Sequence, residues 1–309
     1  MSSRAHTALR RKVLVTKPGS EGSILRRFLR GRHAPLITHG TLLAVTGLFY
    51  GLLSRLPFWI AFVPCVFLAH RVGILVHEYI HGAPFARYRH SHAVVTLWDG
   101  LMMTFGLLEV ARGMHLTHHR WLNVPAPDAK RTHGDAGAFG RGGFGLAATL
   151  DAVRHVLSAG DSSRPKKPYV RRGRIFMGFA LSLVMVLAWA LSGHVDMVWR
   201  TFAVVAFTVI VPMSLRDTVE HNSEPGDTGF ANEYRTVVPM FNVNRHIHHH
   251  EDPKVPWYLL EWRTSRPLPA SSYFTHWLRK YVTHEMVRMQ PMPKGAAPSG
   301  SADIQPQSP

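Results

Sequence analysis

Long uncharged runs alternate along the chain with short polar ones. Four runs approach the roughly 20 apolar residues needed to cross a hydrocarbon layer. They are residues 36–53, with His39 near the start; 56–76, uncharged until Arg71; 175–191; and 201–215. Ser54-Arg55 joins the first two and Ser192 to Arg200 joins the last two, so each pair reads as a helical hairpin. Any one run is compatible with a core helix, but four in two hairpins predict membrane insertion. A fifth run, Ala93 to Ala111, carries Asp99 and Glu109 beside Gly100 and Gly106. Charge inside a span is costly, so this run is read as interfacial or re-entrant. The fold class that follows is all-α integral membrane: four transmembrane helices in two hairpins, interfacial helices, and a cytoplasmic helical cap.

Charge orients that arrangement. Lys and Arg number 36 against 19 Asp and Glu, a net charge of +17, with 21 His besides. The basic residues concentrate before residue 35 and between Arg112 and Arg174, whereas the two hairpin turns hold only Arg55 and Arg200. The positive-inside rule then puts the N-terminus, the central loop and the C-terminus in the cytoplasm of a multi-pass protein, in the inner or plasma membrane if the source is bacterial. Residues 1–35 are too long and too basic ahead of the first apolar run for a cleaved signal peptide, and are read as a membrane flank rather than a nucleic-acid site. Residues 36–285 form the membrane domain, and the Pro-, Ser-, Gly- and Gln-rich residues 286–309 a disordered tail. The single cysteine, Cys65, excludes an internal disulfide, a thiolate zinc site and a Cys-ligated iron–sulfur cluster.

Three histidine clusters carry the chemistry. His77-Glu78-Tyr79-Ile80-His81 follows the second span, His115-Leu116-Thr117-His118-His119 follows the fifth run, and His246-Ile247-His248-His249-His250 lies beyond the fourth span. Residues i, i+3 and i+4 share a helix face, so His77/His81, His115/His118/His119 and His246/His249/His250 each present convergent imidazoles. His248 is off that face. Imidazole is a strong neutral ligand for iron, zinc or copper, and its free N–H needs an acceptor, for which Glu78, Asp128, Glu220, Glu251 and Asp252 are candidates. Two spans separate the second cluster from the third, so both fall on one side, and the first joins them only if Ala93 to Ala111 does not cross. His221, six residues past the fourth span, completes nine imidazoles. That number exceeds what one zinc takes and suits two metals with open positions.

These residues resemble the membrane fatty acid desaturase superfamily, which includes carotenoid ketolases and alkane hydroxylases. The likeness is carried by HEYIHG at 77–82, HLTHHRWLN at 115–123, EH at 220–221 and NVNRHIHHHEDPKVPWYLL at 242–260. It implies a non-heme di-iron centre on the cytoplasmic side, above a tunnel for a hydrocarbon chain, with O2 as co-substrate. Its ligands fall on His77, His81, His115, His118, His119, His221, His246, His249 and His250. Asn242 and Asn244 match the third box as groups that orient ligands or a water. His248 stands where that box often has Glu, so that a carboxylate is either missing there or supplied by Glu251. Pro253 and Pro256 are expected to end the box helix and start an extended segment. Trp98, Met102, Met103 and Phe105 are candidates to border the tunnel, or plain packing groups. The substrate implied is a lipid or fatty acyl chain, with a fatty acid desaturase first and a lipid, alkane or carotenoid hydroxylase or ketolase as the alternative. With no CxxC pattern and no evident haem or flavin segment, electrons are expected from a separate ferredoxin or cytochrome.

Two readings from other classes compete. HEYIH also fits the zinc-protease motif H-E-x-x-H, with Glu78 as general base, but leaves six further histidines unexplained. A metal transporter would keep its ion site near the bilayer midplane, whereas these clusters sit at or beyond span ends.

Overall fold

The computed structural model describes residues 34–83, 88–121, 170–213, 229–231, 244–260, 275 and 290–291. Helix α1 spans Ala34–Arg55, α2 Phe58–Ile80, α3 Tyr88–Leu101 and α4 Leu107–Trp121. Helix α5 spans Arg172–Leu191 and α6 Val195–Thr208, the latter continuing through a π turn at Val209–Met213 that contains Pro212. The short helices α7, His246–Glu251, and α8, Trp257–Leu260, follow. Among the described residues the only strands are β1, Gly229–Ala231, and β2, Gln290–Pro291, which pair antiparallel. The arm 1–33, residues 214–215 of the fourth predicted span, and the tail 286–309 apart from 290–291 lie outside the described residues.

Among the described residues, four helices are long and apolar enough to cross a membrane: Pro35–Arg55, Phe58–Ile80, Arg172–Leu191 and Val195–Met213. Two boundaries differ from the sequence reading by four residues or more. The second helix does not stop at Val76 but runs on through His77 to Ile80, because nothing in HEYI breaks a helix that is already formed. The fourth begins at Val195, before Thr201, and so includes Asp196 and Arg200. These two charges pair i, i+4 at 3.1 Å. Arg200 also donates to the carbonyls of Leu53 and Leu56 at 3.0 and 3.2 Å, placing a cation at the end of α1 where carbonyls lack helical partners. Leu42, Phe49 and Leu53 of α1, Cys65 and Leu75 of α2, and Met197 and Val204 of α6 form the shared core. Trp59 and Phe176, 82% and 72% exposed, face outward as lipid-facing residues should.

The fifth run is a helix–turn–helix that dips into the bundle and returns. Helix α3 travels alongside α5, with Asp99 against Gly178 and Gly100 against Leu181. Helix α4 then comes back, placing Gly106 at Ile175 and Gly113 at Val170. The turn lies beside Ser182, midway along α5, whose hydroxyl accepts the Phe105 N–H at 3.0 Å and donates to the Asp99 carbonyl at 3.1 Å. Across the bundle, Trp98 Nε1 donates to Thr46 Oγ1 at 3.0 Å and the Tyr50 hydroxyl donates to the Leu101 carbonyl. At about 1.5 Å per residue, limbs of 14 and 15 residues are near 21 and 23 Å long, too short to span.

The acids that set this run apart have defined partners. Asp99 Oδ1 accepts the Gly106 N–H at 2.9 Å and the Thr104 hydroxyl, capping the start of α4. Glu109 is held by Arg112 through two bonds of 2.6 and 2.7 Å and accepts the Arg171 N–H at 3.1 Å. Tight reversal needs Gly106, whose φ is +88° and whose notional Cβ would stand 2.7 Å from the Ile175 carbonyl oxygen. Of the residues considered for a tunnel wall, Trp98, Met102 and Met103 are buried, and Phe105 lies against Phe179 with ring centroids 5.7 Å apart.

Candidate metal centre

The first box is the end of α2. His77 and His81 are four residues apart and present their rings on one side, with centroids 4.8 Å apart. Gly82, at φ +70°, then turns the chain: its N–H bonds the Tyr79 carbonyl at 3.1 Å, and the Ala83 N–H bonds that of Glu78 at 3.0 Å. This paired closure of a helix C-terminus favours glycine at the left-handed position, which explains the last letter of HEYIHG. Tyr79, on another face, hydrogen-bonds His39 Nδ1 at 2.6 Å and so ties the end of α2 to the start of α1.

The second box arrives on α4, the returning limb. His115 Nε2 lies 2.7 Å from His77 Nε2 and 2.8 Å from His81 Nε2. The third box arrives on α7, from which His249 sets its ring 4.5 Å from that of His77 and 4.8 Å from that of His81. One nitrogen from each of His77, His81, His115 and His249 lies within 4.8 Å of the others. Ligands on opposite sides of an ion at about 2.1 Å are about 4.2 Å apart, so roughly half an ångström of closure fits one ion. The set contains imidazoles alone, neutral donors suited to iron, zinc or copper. Beside it, His246 and His250 bring their Nε2 atoms to 2.9 Å, and both rings contact that of His249. Of the four histidines of α7, His246, His249 and His250 are buried and His248 is half-buried.

Not every predicted residue is placed. His118 and His119 lie on α4 and Glu251 ends α7, but their side chains are outside the description, as are Asp128, Glu220, His221 and Asn242 altogether. Asn244 is buried just ahead of α7. His248 lies outside the four-imidazole set.

The sequence reading missed the partner of Glu78. Its buried carboxylate accepts the Trp257 N–H at 2.9 Å through Oε1, and Oε2 has no hydrogen-bond partner among the described residues. Glu78 thus fastens α8 to α2. The chain between Pro253 and Pro256 also departs from expectation. Pro256 leads into α8 rather than an extended segment, since proline is compatible with the start of a helix. Val255, Leu259 and Leu260 bury themselves there beside Tyr258, whose hydroxyl is pushed up to about 12 by burial and by the neighbouring Glu78 charge. No distinctive spacing marks such a contact, because one partner is a backbone amide.

Among the described residues, four membrane-length helices with a cluster of histidines at one end that could hold a metal ion define a polytopic membrane protein. The chain matches the family model described as fatty acid desaturase over residues 57–279, from the start of α2 past α8, and it belongs to that family. No curated protein and no solved structure matches it. Membership gives the chemistry as that of a lipid desaturase- or hydroxylase-type oxidoreductase in a membrane, with a lipid hydrocarbon as the class of substrate.

Proposed function

We propose that the protein is a membrane-bound, non-heme di-iron, O2-dependent oxidoreductase that desaturates a fatty acyl chain. The observation that carries this reading is the convergence of His77, His81, His115 and His249, from three distant elements, on one ion-sized space beside the His246/His250 pair. The proposed ligand set is these six together with His118, His119 and His221. Asn242, Asn244, Asp128, Glu220 and Glu251 are the proposed outer partners that fix ring orientation. Iron held there supplies activation of dioxygen toward an unactivated C–H bond, with electrons from a separate ferredoxin or cytochrome.

What the chain itself contributes is placement. The Gly82 turn fixes where His81 ends α2, the re-entrant limbs carry His115 to it, and Glu78 holds the segment that follows α7. An all-imidazole shell adds no negative charge, so the site stays more positive than a carboxylate-bridged one. On α7 the rings of His246, His249 and His250 are themselves shielded from bulk water. Whether a second hydrogen is removed or oxygen is returned depends on sub-ångström placement of that carbon.

The test is untargeted lipid mass spectrometry of source cells carrying the wild-type gene or a His249→Ala copy, which keeps the native electron donor present. Loss of an acyl species lacking two hydrogens supports desaturation. Loss of an oxygenated lipid or pigment instead assigns hydroxylation or ketolation. An unchanged lipid profile, with one zinc and no iron per chain, overturns the proposal.

A further inference from the structure

Helices α3 and α5 leave an open groove of about 320 Å³ between them, away from the imidazoles. Ala93, Thr96, Leu97, Met177 and Leu181 line its length, and His92 and Arg174 stand at one end. Leu97 and Met177 are about half exposed, at 47% and 53%, so the groove faces outward, toward acyl chains in a membrane. Its polar end is where α5 begins, the same end of the bundle as the metal centre, since Val170 packs on Gly113 two residues before His115.

Among the described residues, that end is electropositive. Glu109 is the only acid in α4 and in the first turn of α5, whereas Arg112, Arg171, Arg172 and Arg174 all lie there. Burial, together with Arg174, Arg112 and Arg171, pushes His92 down to about 3, so it stands as a neutral hydrogen-bonding ring among cations. The positive end of a 20-residue helix adds to the same field. An apolar channel that ends in a cationic mouth at the bundle's end matches a molecule with one acyl chain to lay down and one anionic group to anchor.

We propose that this groove binds one acidic phospholipid, with its phosphate on Arg174 and His92 and an acyl chain along Ala93, Leu97, Met177 and Leu181. The bound chain packs α3 against α5 along the outer side of the re-entrant limb. This site requires only that the protein sits in a membrane and does not depend on the oxidative chemistry.

The experiment uses full-length protein in detergent, incubated with equimolar phosphatidylglycerol and phosphatidylcholine of identical chains, with retained lipids counted by native mass spectrometry. The expected result is one retained phosphatidylglycerol, preferred several-fold over phosphatidylcholine. Arg174→Gln lowers that preference about fivefold, the scale of one arginine near a membrane phosphate. Leu97→Trp fills the groove without changing charge and lowers retention of the same lipid. Equal retention of the two lipids by the wild-type protein overturns the proposal. So does a preference that survives both substitutions, the behaviour of a diffuse basic flank. If Arg174→Gln does not accumulate, Leu97→Trp decides alone.

Discussion

Replacing Glu78 by alanine removes the acceptor of the Trp257 N–H while leaving every imidazole in place. The bond is 2.9 Å long and its carboxylate is buried, so water does not readily substitute for it. Leaving a desolvated donor without its acceptor costs about 1–3 kcal/mol, and a value near 2 kcal/mol converts to roughly thirtyfold in the opening equilibrium of the segment the bond holds. That segment is short, with Val255, Leu259 and Leu260 as its buried apolar anchors, so the loss is felt locally. Hydrogen–deuterium exchange of metal-free protein in detergent, followed by mass spectrometry, reads this directly. Peptides covering 252–260 should exchange about thirtyfold faster in Glu78→Ala. Glu78→Gln keeps a carbonyl oxygen at the acceptor position and should stay close to wild type. Unchanged exchange in Glu78→Ala refutes the fastening role. Equal acceleration in the glutamine variant shows that charge, not the acceptor, matters.

Other outcomes follow from the same geometry. His77→Ala and His115→Ala should each lower the metal content of purified protein while leaving it in the membrane, whereas His248→Ala should retain it; elemental analysis of the three variants separates the outcomes, and full metal in His115→Ala would remove that ring from the site. Gly106→Ala forces a side chain into a left-handed conformation and against the Ile175 carbonyl, which should lower stability by about 2 kcal/mol or more, read as an earlier thermal midpoint in detergent. Arg200→Met leaves the Leu53 and Leu56 carbonyls at the end of α1 without their cationic donor, at a cost of about 1–2 kcal/mol by the same measurement; an unchanged midpoint means that water replaces the guanidinium.

The four spans were legible because crossing a membrane demands a long apolar run whatever the packing. Their ends were less so. Asp196 and Arg200 looked like a polar link, yet they neutralise each other one turn apart and Arg200 reaches the carbonyls of another helix. The first box was legible because helical spacing alone aligns His77 with His81. In the third box that spacing grouped His246, His249 and His250, but the structure divides their contacts: His249 joins the rings of α2 and α4, while His246 and His250 pair with each other. Asp99 marked the fifth run as unable to cross; its bonds to Thr104 and Gly106 at the tip required the folded turn. The Glu78 contact, 179 residues away in sequence, ends on a main-chain amide and leaves no side-chain pattern to read.

The descent of α3 and return of α4 have a consequence for biogenesis. The turn that suspends His115 is held by the Ser182 hydroxyl and lies against Gly178, and the returning limb is tied to the Arg171 amide, all supplied by α5 and the residue that precedes it. During synthesis, therefore, the second box is made well before the partner that fixes its depth. A chain arrested after Trp121 holds two boxes that lack this support, and the centre can assemble only once α5 has been delivered to the bilayer.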